Sequence, residues 1–106
     1  MRNIRWLDSA ELELANIVRY IGLTFGIDTA SRVFDDIILR VEALQDFPYM
    51  GTLDPSVKYH GLEVYVLHNR HARLFYSITQ SVIIVVLVWN NRRDERLIES
   101  AIELSK

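Results

Sequence analysis

Apolar residues recur at helical spacing along the first half of the chain and form strand-like runs along the second, and the change of character comes near Pro48. Leu14, Ile17, Val18, Ile21 and Phe25 share one helical face, which predicts a helix over about residues 9–24. Asp8, with Glu11 three residues on, is placed to cap it, and Gly22 and Gly26 loosen its end. Asp28 is placed to cap a second helix in which Ala30, Val33, Phe34, Ile37, Ile38, Val41 and Leu44 make a longer stripe. A short loop then joins the two as an αα-hairpin. Arg19, Arg32, Asp35, Asp36, Arg40 and Glu42 lie off the stripe and read as a solvated face.

Two prolines and a glycine between Phe47 and Pro55 interrupt any regular hydrogen-bond ladder, so that stretch reads as loop. Residues 62–67, 72–78 and 82–89 are rich in Val, Ile, Tyr and Phe and read as strands. Their connections are tight, which implies an antiparallel meander. The run from Val82 to Val88 lacks polar alternation and belongs in the middle of a sheet, with residues 3–7 adding a strand beside it. Asp94 is placed to cap a short last helix carrying Leu97, Ile98, Ala101 and Ile102. The order β-α-α-β-β-β-α predicts an α+β fold, a helical hairpin laid on an antiparallel sheet. In the second meander strand Leu74, Tyr76 and Ile78 point one way and Arg73, Phe75 and Ser77 the other; both sets hold aromatic rings, so alternation alone does not choose the core face.

With 106 residues the chain is expected to form one domain over residues 1–106, around one core. No cysteine is present, so neither a disulfide framework nor a zinc-thiolate site is available. The start lacks the apolar core of a signal peptide and no run is long enough to span a bilayer, which predicts a cytoplasmic protein without a membrane partner. The net charge is −2, against general nucleic-acid binding, but it is unevenly distributed. Residues 1–57 carry a balance of −4, residues 58–93 a balance of +4, and the remainder −2. The basic stretch also holds His60, His68 and His71.

Those histidines have too few carboxylates near them in sequence to complete a metal shell. Ser56, Ser77 and Ser81 lack a nucleophile-elbow context, and the glycines are too scattered to cradle a phosphate, so no cofactor is expected. The arginines are the better candidates. Arg92 and Arg93, just past a strand end, are placed to converge with Arg70, Arg73 and His71 into a positive concavity suited to phosphates or acidic side chains. Pairing of each arginine with Asp94, Glu95 or Glu63 at the surface is the competing assignment.

The helix-glycine-helix order, the loop Phe47-Pro48-Tyr49-Met50-Gly51, the step Arg73-Leu74-Phe75-Tyr76 and the ending Trp89-Asn90-Asn91-Arg92-Arg93-Asp94 resemble the RelE/ParE superfamily of toxins from bacterial toxin-antitoxin pairs. The resemblance covers nearly the whole chain, lies closer to the ParE-like branch, and implies a cognate antitoxin bound as a hetero-oligomer. Two activities go with it: ribosome-dependent cleavage of messenger RNA, or inhibition of DNA gyrase. The RelE-like nucleases carry lysines on the strand before Arg73 and a tyrosine or histidine near the C-terminus. The matching positions here hold Val64, Val66 and Asn90, none of which transfers protons near neutral pH. The resemblance therefore implies a toxin that binds a protein such as gyrase, with Arg70, Arg73, Arg92 and Arg93 as target-binding residues and Tyr76 as a packing residue. A ribonuclease using Arg73 and Arg92 for phosphate, with His68 or His71 for proton transfer, is the alternative. Tyr65 and Tyr76 are further acid-base candidates for it, and a non-toxic remnant that acts only with its antitoxin is a third possibility.

Overall fold

A computed structural model describes residues 1–106. Strand β1 (Asn3–Trp6) leads into helices α1 (Asp8–Phe25) and α2 (Ile27–Ala43). Strands β2 (Thr52–Tyr59), β3 (Leu62–His68), β4 (Ala72–Ile78) and β5 (Val82–Asn90) follow. A single 3-10 turn (Glu95–Leu97) then leads into helix α3 (Ile98–Leu104). The five strands form one sheet in the order β1-β5-β4-β3-β2, with β1 parallel to β5 and every other pair antiparallel. The expected α+β fold and meander are present.

Both predicted stripes face the sheet. Ala10, Leu14, Ile17 and Ile21 from α1 and Ala30, Ile37, Val41 and Leu44 from this hairpin's second arm are buried with Leu67, Leu74, Tyr76, Ile83, Val85 and Val88. Phe25 and Phe34, at the edges of their stripes, remain exposed. The caps differ from expectation at two of three places. Leu7 occupies the N-cap of α1 and its carbonyl accepts the Glu11 N–H at 3.0 Å, while Asp8 is already helical. Gly26 alone joins the two helices, with φ at 99°, a conformation that favours glycine. Asp8 and Asp28 thus act through charge at positive helix ends and make no cap hydrogen bond. Asp94 does cap, accepting the Arg96 N–H at 2.9 Å.

The stretch read as loop from Phe47 to Pro55 is loop only as far as Gly51; β2 begins at Thr52 and runs through Pro55. An edge strand tolerates proline because one side of its ladder is unpaired, and the β2–β3 register breaks between Asp54 and Lys58, where Pro55 sits. Asp54 Oδ1 accepts from both the N–H and the hydroxyl of Ser56 there, which closes the bulge.

Alternation in β4 left its core face open because both faces are core. Leu74 and Tyr76 lie under the helical hairpin, while Phe75 joins Val57, Val64, Val66, Val86, Leu87, Trp89, Ile98 and Ile102 on the opposite side, roofed by α3. Ser77, also buried, donates its hydroxyl to the Glu63 carbonyl at 2.9 Å. A bulge opposite Phe75 and Tyr76 lets Val86 and Leu87 both contribute to this second cluster. The loop before β2 is tied to the first. Buried Tyr76 donates its hydroxyl to the Pro48 carbonyl at 2.8 Å and accepts the Gly51 N–H at 2.9 Å.

Candidate functional site

The β3–β4 turn and the exit from β5 lie side by side, and asparagine side chains join them. Asn91 Nδ2 donates to the carbonyls of Asn69 and Arg70 at 3.0 and 3.2 Å, and the Asn91 N–H donates to the His71 carbonyl. Asn69 Oδ1 accepts the His71 N–H at 2.8 Å, while its Nδ2 donates to Asp36 on α2 at 2.6 Å. Asn90 Oδ1 accepts the Arg92 N–H at 2.9 Å. The side chains that these two loops carry are therefore presented from a braced backbone.

The candidate residues separate into groups, which corrects the expectation of one positive concavity. Arg73 and His68 are paired across β3 and β4 and line an open cleft of about 510 Å³ between β2 and the start of α3. Arg73 is held there by Glu95, Nη2 to Oε2 at 2.9 Å, the surface pairing that competed with the functional assignment. The cleft also holds Asp54, Glu99 and Arg96, so three carboxylates face two arginines. Arg92, Arg70 and His71 line a different cavity, of about 110 Å³, on the α1 side. No carboxylate lines it. Arg93 belongs with neither: its guanidinium lies 4.2 Å from the Trp89 ring centroid and its Nη1 is 3.6 Å from Glu13. His60 sits in the β2–β3 turn at φ 48°, edge-on to Tyr59.

Strand alternation explains the split. Arg73 shares its face with Phe75 and Trp89, whereas the loops beyond the strand ends turn Arg70 and Arg92 toward α1. Two partners define the groups, and sequence reasoning missed one of them. One is Tyr20, whose ring centroid lies 3.9 Å from the Arg92 guanidinium carbon. The other is Glu95 on Arg73. Glu95 was within view as a surface partner, but a tyrosine flanking the helical stripe carries no signal of what it will meet from the far end of the chain.

Three groups have displaced proton affinities. Burial pushes the Tyr76 hydroxyl above its ordinary 10.0, opposed by the Gly51 N–H and reinforced by Tyr65. The Arg96 guanidinium, aided by the Arg96 N–H, holds Asp94 below the usual carboxylate range, and Asp94 in turn raises Arg96. None of these groups combines a free acid-base function with a cavity. No three His, Cys, Asp or Glu side chains gather in a metal-binding arrangement. Val64 and Val66 are buried under α3, so those strand positions supply packing.

A family model described as the ParE toxin of the type II toxin-antitoxin system parDE matches residues 4–95. The chain belongs to the ParE toxin family. It is a type II toxin-antitoxin toxin by that membership. Among solved structures, a chain of the chromosomal ParDE toxin-antitoxin system from P. aeruginosa superposes with a TM-score of 0.68 at 19% identity. The match covers 85% of this chain and 96% of that one, and shows that the two share a fold. No curated protein sequence matches. The ParE match ends where α3 is about to begin, so the helix that roofs the second cluster lies outside it. No helix is long and apolar enough to cross a membrane.

Proposed function

We propose that this ParE-family toxin arrests growth by binding a protein target, DNA gyrase, rather than by cutting RNA, and that a cognate antitoxin neutralises it in a hetero-oligomer. The reading rests on one observation above all: the two phosphate-holding candidates of a ribonuclease, Arg73 and Arg92, stand in separate cavities. Arg73 and His68 share one, Arg92 and His71 the other. A ribonuclease using both arginines would need them, with a histidine, within hydrogen-bond reach of the same phosphodiester. Each cavity retains one histidine beside an arginine, which keeps RNA cleavage as the second reading. In the larger cleft Arg73 is neutralised by Glu95 and the rim is acidic, a poor field for a polyanion.

For the antitoxin, an apolar groove of about 270 Å³ on the helical hairpin, lined by Trp6, Leu14, Ala15, Phe34 and Ile38 with Glu11 at its rim, suits the apolar face of a helix. A segment that is disordered alone would order as it covers this groove.

Induced expression in a bacterium tests the reading. Stalled DNA replication and an SOS response with intact messenger RNA are expected; codon-phased cleavage on ribosomes would overturn it in favour of the nuclease. Unimpaired growth would assign the chain to the non-toxic alternative.

A further inference from the structure

The cavity around Arg92 has features that binding a bare surface charge would not require. Its guanidinium lies over the Tyr20 ring, and the backbone that carries it is fixed by the Arg92 main-chain N–H donating to Asn90 Oδ1. A guanidinium over a ring uses its face there and keeps its in-plane N–H groups for a forked acceptor. Arg92, Arg70 and Arg32 form none of the chain's ion pairs, although Glu13, Asp28 and Asp35 lie on the same helical hairpin.

The positive surface also continues. Arg70 and His71 line both the Arg92 cavity and a neighbouring groove of about 270 Å³ that reaches Arg32 and Thr29 on α2. The one carboxylate in that groove, Asp36, already accepts from Asn69. A row of three unpaired arginines and a histidine therefore runs from the end of β5 to the start of α2, on a molecule of net charge −2.

We propose that this row binds an acidic segment of the partner protein, with one of its carboxylates seated between Arg92 and Arg70. The inference rests on the reading that the toxin acts through a protein, and it assigns that contact to Arg92, Arg70, His71 and Arg32 in place of Arg73 and Arg93. A peptide fits better than a nucleic acid for two reasons. Ile17, Ile21 and Tyr20 line the Arg92 cavity, which suits the methylenes of a glutamate. The row is also short and bordered by acidic helices, so a phosphate backbone would leave it at either end into like charge.

The test uses the purified full chain, nitrogen-15 labelled, titrated at low salt with a capped oligoglutamate peptide and separately with an oligothymidylate. The peptide is expected to shift the amides of Arg70, His71, Asn91 and Arg92, and Arg92→Ala to weaken it roughly tenfold, as for loss of a charged hydrogen-bond pair. Arg92→Lys, which retains the charge without the fork, should fall between. Arg73→Ala should leave the affinity unchanged. Tighter binding of the oligothymidylate, shifts centred on Arg73 and Arg96, no binding at millimolar peptide, or an Arg92→Ala protein that keeps its spectrum and its affinity would each overturn the proposal. Stalled replication with intact messenger RNA alongside any of these outcomes would leave the protein-target reading standing and remove only the acidic segment.

Discussion

Tyr76 links the first core to the loop that precedes the sheet. Removing its hydroxyl leaves the Pro48 carbonyl and the Gly51 N–H without their partner, so Tyr76→Phe is expected to cost about 1–2 kcal/mol in urea unfolding. Gly51→Ala should cost more. A Cβ there would stand 2.7 Å from the Tyr76 hydroxyl and 2.8 Å from the Val66 carbonyl, and a carbonyl in a paired strand cannot swing aside. A Gly51→Ala protein as stable as the parent would show that the loop is not held in this way. The hydroxyl also has a pH signature. Its affinity for the proton is higher folded than unfolded, so above the ordinary value of 10.0 the unfolded chain loses this proton first. The stability contributed is complete below that pH and is lost as pH rises through the folded value. Stability measured upward from pH 10 should fall more steeply for the parent than for Tyr76→Phe, the other tyrosines being common to both. Tyr76 was legible in the sequence as a packing residue; its two backbone partners, 25 and 28 residues away, were not.

At the scale of elements, periodicity exposed both long helices and three strands, because each buries a face whose spacing is written in consecutive residues. Strand β2 escaped it. Its pattern is mostly exposed, it carries Pro55 within a bulge, and it is held by pairing with β3 more than by burial. Helix α3 was visible from Asp94 and its apolar positions, but what it covers was not, since the second cluster exists only once β4 and β5 are paired. That role makes a prediction. Ile102, 1% exposed, anchors α3 against the sheet, and Ile102→Ala should cost about 2–4 kcal/mol if the tail folds with the rest. Urea unfolding followed by fluorescence, with Trp89 buried in the same cluster, reads this directly. A loss well under 1 kcal/mol would mean that α3 frays independently.

Across the whole molecule, the basic stretch of the sequence divides into two arginine environments with different neighbours. Arg73 shares a cleft with three carboxylates, whereas Arg92 has none. The sequence showed the basic stretch but could not assign its members to faces, because that depends on where β3 and β5 end and which helix lies beneath them. The apolar groove on the hairpin belongs to this scale as well, since β1, α1 and α2 all line it. Phe34, 41% exposed, contributes its ring without being needed for the core. Phe34→Glu is accordingly expected to weaken antitoxin binding by roughly tenfold or more while leaving the melting temperature of the toxin alone nearly unchanged. An unchanged affinity in calorimetry would move the antitoxin to another surface.

The parallel pairing of β1 with β5 imposes an order on synthesis. Residues 3–6 leave the ribosome well before their partners, residues 82–85. Until β5 is made, β1 has no neighbour and the sheet cannot close. Both the basic row and the groove beside Trp6 depend on that closure, one through the exit of β5 and the other through β1. Until β5 has been made, the nascent toxin can hold neither surface in its finished form.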